Sequence, residues 1–471
     1  MSNNRAKYLF KNTAIFTIGS FATKIVNFIL IPLYSFVLSA EEYGTIDLVA
    51  TVCFIAVPII TLNITESVMR FNLDPGVNRD QITKVGLYIL AFSALIGLCI
   101  IPICSMFDQI SDLKYLIYFY VITNASNQVL LSNLRGREQL ISYSVCSVLN
   151  TFLIALFNII FLVFLKLQLP GFLLAYILSN TVVSICAFIL GKSYRAILAR
   201  FEYDKFITMI KYSVVLIPNS FMWWIMNSSD HLMVTSMVGV AANGIYAMSY
   251  KIPNLISTFT GIFNQAWQYS AIKENGSNDE AAYNNKVFKV MISIVMLIGI
   301  SIMTIVKPFL RFYLSKEYFS AWKYTPFLII GSVFMTLGTF MSTSYNVHKD
   351  NKGFLFSGMI GAFLNLVLNF ILIPTIGVYG AAMATCLSYI SVFVYRYFDT
   401  KKYIKYNIII KEFYIGVILL ILSAVLVYFE SILSTIFQVL IFLISMCLFK
   451  DAWAPILFKV IRKVKDNDYS M

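Results

Sequence analysis

Residues 13–37 read TAIFTIGSFATKIVNFILIPLYSFV. The run holds a single charge, Lys24, and exceeds the roughly 20 residues that carry a helix across hydrocarbon. Its apolar residues are continuous rather than alternating, so the segment reads as a helix and not as a barrel strand. Arg5, Lys7 and Lys11 precede it as in a leader peptide. The run nevertheless continues past Lys24 and Pro32 to about Val37 with no small-residue cleavage site, and further apolar runs follow. We therefore read it as a first transmembrane helix that is retained.

The same pattern recurs along the 471 residues, of which 59% are hydrophobic, 16% aromatic and 13% charged; mean hydropathy is +0.78. Such a chain is solvated mainly by lipid. Windows of this kind begin roughly at 13, 45, 83, 113, 141, 170, 212, 243, 287, 323, 354, 378, 413 and 432. The expected fold is an all-α polytopic membrane protein with about 14 transmembrane helices.

Charge orients the chain. The net +13 is carried in short clusters between apolar runs, where it sets topology, and nucleic acid is excluded as a partner. With the N-terminus inside, most Lys and Arg fall on cytoplasmic segments: Lys192 to Lys211, Lys401 to Lys411, and Lys459 to Lys465. An even number of spans returns the C-terminus to the same side. The hairpin with Lys307, Arg311, Lys316 and Lys323 dissents, and reads as interfacial or as a misplaced boundary. All seven cysteines lie in apolar stretches without metal-ligand spacing.

A faint internal repeat appears at an offset near 200: Glu42-Tyr43-Gly44-Thr45 against Asn243-Gly244-Ile245, and Leu169-Pro170-Gly171 against Ile376-Gly377-Val378-Tyr379-Gly380. The expected organisation is an N-lobe at 1–192, a cytoplasmic linker at 193–211, a C-lobe at 212–400, and two further helices with a basic tail at 401–471. The lobes are pseudo-symmetric and hold six helices each.

Charges inside such helices are costly and mark pathways or pairs. Lys24 lies about eleven residues into its span, roughly 16 Å deep, beyond easy snorkelling. Ser20, Lys24 and Asn27 share one face. Asn219, Trp223, Asn227 and Asp230 recur at helical spacing, as do Lys251, Asn254, Thr258, Gly261 and Gln265. Lys24, Lys251, Arg70, Asn27, Asn254, Gln265 and Asn227 are the expected lining of a substrate cavity. Asp230, Glu66 and His231 are candidates for ion coupling or charge pairing. Asp230 stands at a depth similar to Lys251, and Glu66 is spaced to pair with Arg70. For each the blander alternative is a charge that only holds helices together. His231 reads more simply as a packed or lipid-facing side chain, Asp47 as a helix-terminus charge, and the run Thr123, Asn124, Ser126, Asn127 and Gln128 as either sugar contacts or interhelical bonds.

Gly191-Lys192-Ser193 ends like a phosphate-binding loop, but Cys186 stands where that motif needs glycine. No nucleotide motor, catalytic cluster or resident cofactor is expected, and the chain does not read as an enzyme.

Several segments taken in order carry a resemblance: Pro32 with Glu42-Tyr43-Gly44, Leu216-Ile217-Pro218 with Asp230, Asn243-Gly244-Ile245-Tyr246 with Tyr250-Lys251-Ile252-Pro253, and Leu372-Ile373-Pro374-Thr375-Ile376-Gly377-Val378-Tyr379-Gly380-Ala381-Ala382-Met383-Ala384-Thr385. Together they resemble the polysaccharide-export, O-antigen-type flippases of the multidrug, oligosaccharidyl-lipid and polysaccharide exporter superfamily. The resemblance implies a V-shaped alternating-access transporter with a cationic cavity. Basic residues on spans one, two and eight match Lys24, Arg70 and Lys251. The implied cargo is an undecaprenyl-diphosphate-linked oligosaccharide of O-antigen, capsule or another surface polysaccharide, moved from the cytoplasmic to the outer leaflet of a bacterial inner membrane. The family often has aspartate then arginine late in span seven, where this chain has Asp230 and His231. Fourteen spans rather than twelve are similar to the peptidoglycan-precursor flippases.

Coupling to H+, Na+ or the membrane potential stays open at this point, as do a polysaccharide polymerase and a chain-length regulator as partners beside the cargo and membrane lipids. The competing readings are a multidrug or cation antiporter of the same superfamily, for which acidic cavity residues are expected, and a non-transporting scaffold of a glycan-assembly complex. A membrane-embedded glycan polymerase ranks below these because no outer loop is long.

Overall fold

The apolar runs fold as helices. The computed structural model describes residues 23–74, 76–107 and 110–454, and among them every regular element is helical. Among the described residues a helix stands at each expected place, the first from Thr23 onward. By length and composition, nine among the described residues can cross a membrane, including Ala40–Ile60, Arg79–Cys104, Glu280–Tyr313 and Asn351–Ile376. Thr23–Val37 and Ile432–Leu448 are shorter apolar helices. Lys114–Gly136 and Pro253–Glu274 have the length but carry more polar residues, and Lys411–Leu426 has 16 residues.

The chain forms two compact units: Met1–Thr235 with Gly239–Gly244, and Ser236–Val238 with Ile245–Met471. The division falls later than a linker at 193–211. Helix Tyr203–Val214 packs on Ile64–Asn72 of the first unit, with Met209 in a core of Ile64, Val68, Ile82, Val85, Ile89 and Val129. Ser67 Oγ donates to the Met209 carbonyl at 2.7 Å, and Trp224 Nε1 donates to the Thr51 carbonyl at 2.8 Å. These bonds hold 203–235 to the helices that precede it.

Within the first unit one buried amide joins several helices. Asn133, 1% exposed, accepts at Oδ1 from Asn72 Nδ2 at 3.1 Å, Thr83 Oγ1 at 2.8 Å and Arg137 Nε at 3.2 Å. Its Nδ2 donates to Ser193 Oγ at 3.1 Å. Arg137 also pairs with Asp80 at 2.6 Å. Both ends of the Asn133 amide, removed from water here, are returned partners, which offsets its burial.

The Glu42-Tyr43-Gly44-Thr45 motif lies in the first turns of helix Ala40–Ile60. A capping box starts the helix earlier: Ser39 Oγ accepts from the Glu42 N–H at 3.2 Å, and the Glu42 carboxylate accepts from the Ser39 N–H at 2.8 Å. The helix ends where Leu62 and Asn63 take left-handed φ of 50° and 52°, and a separate helix, Ile64–Asn72, follows.

In the second unit, helix Thr325–Val347 is the most enclosed of the membrane-length helices. Buried Arg396 ties it to two neighbours, donating from Nε to Ser357 Oγ at 3.0 Å and from Nη1 to the Gly338 carbonyl at 3.1 Å. The glycines of the Ile376–Gly380 motif have separate causes. Gly377 turns the chain at φ 61°, while a Cβ on Gly380 would lie 2.4 Å from the Leu372 carbonyl. The last two helices are part of this packing. Lys411–Leu426 and Ile432–Leu448 lie against Glu280–Tyr313, with Glu412 paired to Lys289 at 3.0 Å and Glu430 to Lys307 at 2.8 Å.

The dissenting basic hairpin is a short amphipathic 3-10 helix, Lys316–Lys323, burying Tyr318, Ala321 and Trp322. The Lys307 ammonium lies 4.1 Å from the Trp322 ring centroid. Charge stays on the exposed side of this helix and aromatic rings face the protein.

Candidate functional site

Helix Thr23–Val37 buries Leu30, Ile31, Tyr34 and Ser35. Lys24 and Asn27 are exposed, so this polar pair lies off the helix's packed side. Ser20 of the same stripe lies outside the described residues.

The eighth span is broken. Val240–Ser249 and Pro253–Glu274 are separate helices, because Pro253 brings no N–H to continue the first and suits the first turn of the second. Lys251 sits half-buried on the break. Beyond it Asn254 is exposed, and a Cβ on Gly261 would meet nothing within 4 Å. The opposite side buries Ile256, Thr260 and Trp267, and Trp267 stacks on Phe340 with ring centroids 4.6 Å apart. The stripe read from sequence therefore lies opposite the buried side of this helix, with Asn254 exposed and Lys251, Thr258 and Gly261 half-buried. The Gln265 side chain lies outside the described residues.

Three expectations are corrected. Arg70 does not pair with Glu66. Both are exposed, and Arg70 instead forms an ion pair with Asp74, one turn further on. The helical break at Leu62 and Asn63 leaves Glu66 and Arg70 on a short separate helix rather than on one long span. His231 is not a bland packing residue, and Asp47 is not a simple terminus charge. His231 is 7% exposed, and its Nδ1 lies 2.6 Å from Asp47 Oδ2. The contact does not meet hydrogen-bond geometry at Nδ1, and it is a charge pair only when the imidazole is protonated. Asp230, 1% exposed, accepts at Oδ1 from the His231 backbone N–H at 3.1 Å. Asn227 is exposed, and its amide donates to the Trp223 carbonyl four residues earlier at 2.7 Å.

One residue of this cluster was legible only as a repeat motif. Asn243 is fully buried and donates from Nδ2 to Asp47 Oδ2 at 3.2 Å and to the Gly44 carbonyl at 3.3 Å. Its neighbour Gly244 meets Gly44 where the two helices cross, with Ala40 and Val240 in equivalent places 200 residues apart. In the run at 123–128, Gln128 Nε2 donates to Asn124 Oδ1 at 2.7 Å, along the helix.

In the second unit, outside the apolar segments, Asp350 caps helix Asn351–Ile376. It accepts from the Gly353 N–H at 2.9 Å, from Lys402 at 3.0 Å and from the Tyr403 hydroxyl at 2.9 Å. These donors hold its carboxyl down at about 2.

The model of a family described as "Polysaccharide biosynthesis protein" matches residues 9–269, more than half of the chain. The chain belongs to this family. Among curated proteins, an uncharacterized membrane protein of Haemophilus influenzae is 23% identical over 374 residues, covering 76% of this chain and 89% of that protein. Among solved structures, this family member is similar to the lipid II flippase MurJ in an inward closed conformation. The TM-score is 0.68 and the identity 15%, over 94% of this chain and 100% of that one. An inward-facing multidrug resistance MATE family transporter of the MOP superfamily gives a TM-score of 0.62 at 14% identity, over 81% and 94% of the two chains. At these identities the likeness establishes the fold alone: an all-helical architecture similar to those two proteins.

Proposed function

We propose that this protein is a flippase that moves an undecaprenyl-diphosphate-linked oligosaccharide across a bacterial inner membrane by alternating access, with both termini cytoplasmic. The carrying observation is a polar helix face in each unit, set against an otherwise apolar helix: exposed Lys24 and Asn27 in the first, half-buried Lys251 and Gly261 with exposed Asn254 in the second. A diphosphate is the part of such a cargo that most resists hydrocarbon. Lysines deep in the span offer it a substitute for water, while the prenyl chain stays in lipid. Membership of a polysaccharide biosynthesis family supports a glycan cargo, and the fold shared with a lipid II flippase supports a lipid-linked one.

The role is transport rather than bond chemistry, and the protein works alongside the enzymes that build and polymerise the glycan. A cation antiporter is the second reading, favoured by the buried Asp230 and by the likeness to the multidrug transporter. Purified protein in liposomes loaded with a fluorescent diphosphate-linked oligosaccharide tests the proposal. Translocation that needs the protein supports it. Liposomes that move cationic drugs but not the glycolipid would establish the antiporter, and movement of neither would leave a scaffold.

A further inference from the structure

We propose that His231 and Asp47 form a proton-binding site, and that Asn243 links its protonation to the crossing of Gly44 and Gly244. This deepens the transport reading by naming a coupling ion, and every group involved lies in the first unit.

The placement carries the argument. His231 Nδ1 and Asp47 Oδ2 are 2.6 Å apart, with side-chain exposures of 9% and 18%. The imidazole is the side chain that gains or loses a proton near neutral pH. In a poorly solvated site, that single charge decides whether Asp47 meets a cation or a neutral ring. The partial exposure of Asp47 gives the proton a route in and out.

Asn243 Nδ2 contacts the same Oδ2 that faces the imidazole, and also the Gly44 carbonyl. The carboxylate therefore holds both His231 and the residue that precedes Gly244. At that crossing a Cβ on either glycine would lie 2.0 Å from a carbonyl oxygen of the other helix, Val240 for Gly44 and Ala40 for Gly244. The chain passes from the first unit to the second immediately after Gly244. With His231 protonated, the imidazolium, Asp47 and Asn243 pin the two helices at contact distance. Loss of the proton, returned to solvent, removes the ion attraction and leaves Asp47 held by Asn243.

The titratable groups around the pair include Asp230 on the histidine's own helix and Asp47 on Ala40–Ile60. They also include Tyr120 on Lys114–Gly136, which senses Asp47, Cys53 and Tyr176, and Tyr34 on Thr23–Val37, which senses Tyr120 and Tyr176. Phenols and thiols ordinarily ionise at higher pH than an imidazole, so the proposed proton exchange rests on His231 and the carboxylates.

The chain has two histidines, so His348→Asn leaves His231 as the sole imidazole. Nitrogen-15 histidine NMR of this variant in lipid nanodiscs, from about pH 5 to pH 8, is expected to show the imidazole change protonation state. Hydrogen exchange of peptides spanning 40–47 and 240–244, corrected for intrinsic rates, is expected to be slower by roughly fivefold or more on the acid side, the low end of typical coupling. His231→Asn and Asp47→Asn should each abolish that pH dependence. An imidazole that keeps one protonation state throughout, or exchange at the crossing that does not depend on pH in the wild type, would overturn the proposal. Should one variant fail to fold, the His348→Asn titration and the wild-type exchange still decide. No cargo is used, so a negative result here leaves the flippase reading standing, and absence of glycolipid transport leaves this site standing.

Discussion

Gly44 and Gly244 meet backbone to backbone. A Cβ on Gly44 would come within 2.0 Å of the Val240 carbonyl oxygen, and one on Gly244 within 2.0 Å of the Ala40 carbonyl oxygen. The obstacle is main chain on both sides, so no rotamer change can relieve it. Gly44→Ala and Gly244→Ala should each force this crossing apart, at a cost of about 1–3 kcal/mol or more for overpacking. Raised amide exchange at 40–47 and 240–244 checks this, with Gly261→Ala as control because its Cβ would meet open space. Unchanged exchange in both alanine variants would contradict the contact.

Lys24→Ala and Lys251→Ala should abolish surface glycan assembly while leaving protein in the membrane. Lys→Arg at either place should retain part of the activity, because the charge persists although the geometry differs. Surface glycan measured beside membrane protein level separates transport from folding, and full activity in both alanine variants would remove these lysines from the mechanism.

Asn133→Ala should loosen the first unit. Its Oδ1 accepts three hydrogen bonds and its Nδ2 reaches Ser193, and each buried donor left unpaired costs about 1–3 kcal/mol. A lower Tm of the purified protein is the expected result. Asn124→Ala, on a half-buried helical position, should change Tm much less.

Asp350 gives a pH dependence of known sign. Its folded-state carboxyl lies at about 2, below the ordinary 3.8. Its contribution is therefore complete above about 4 and is lost as pH falls from there toward 2. Asp350→Asn should weaken the cap on Asn351–Ile376 at neutral pH and flatten the acid limb of the stability curve, measured by hydrogen exchange over 350–357. An acid limb unaltered in the variant would assign it to other carboxylates.

The type of the helices and the places of the apolar runs were legible in the sequence because lipid leaves a chain few options: long apolar runs must satisfy their own backbone bonds. The same rule exposed Lys24, Lys251 and Asp230 as anomalies, since a charge in such a run stands out without any knowledge of its neighbours. Resemblance of motif order likewise pointed to the right family. Pairing could not be read this way. Glu66 and Arg70 have the spacing of partners, yet a left-handed break at Leu62 and Asn63 puts them on a short helix where Asp74 is the acid that Arg70 takes. His231 and Asp47, far apart in the chain, become neighbours only when the helices cross. Helical periodicity reports which residues share a face. What that face meets depends on contacts between segments distant in sequence, and those only the tertiary structure decides.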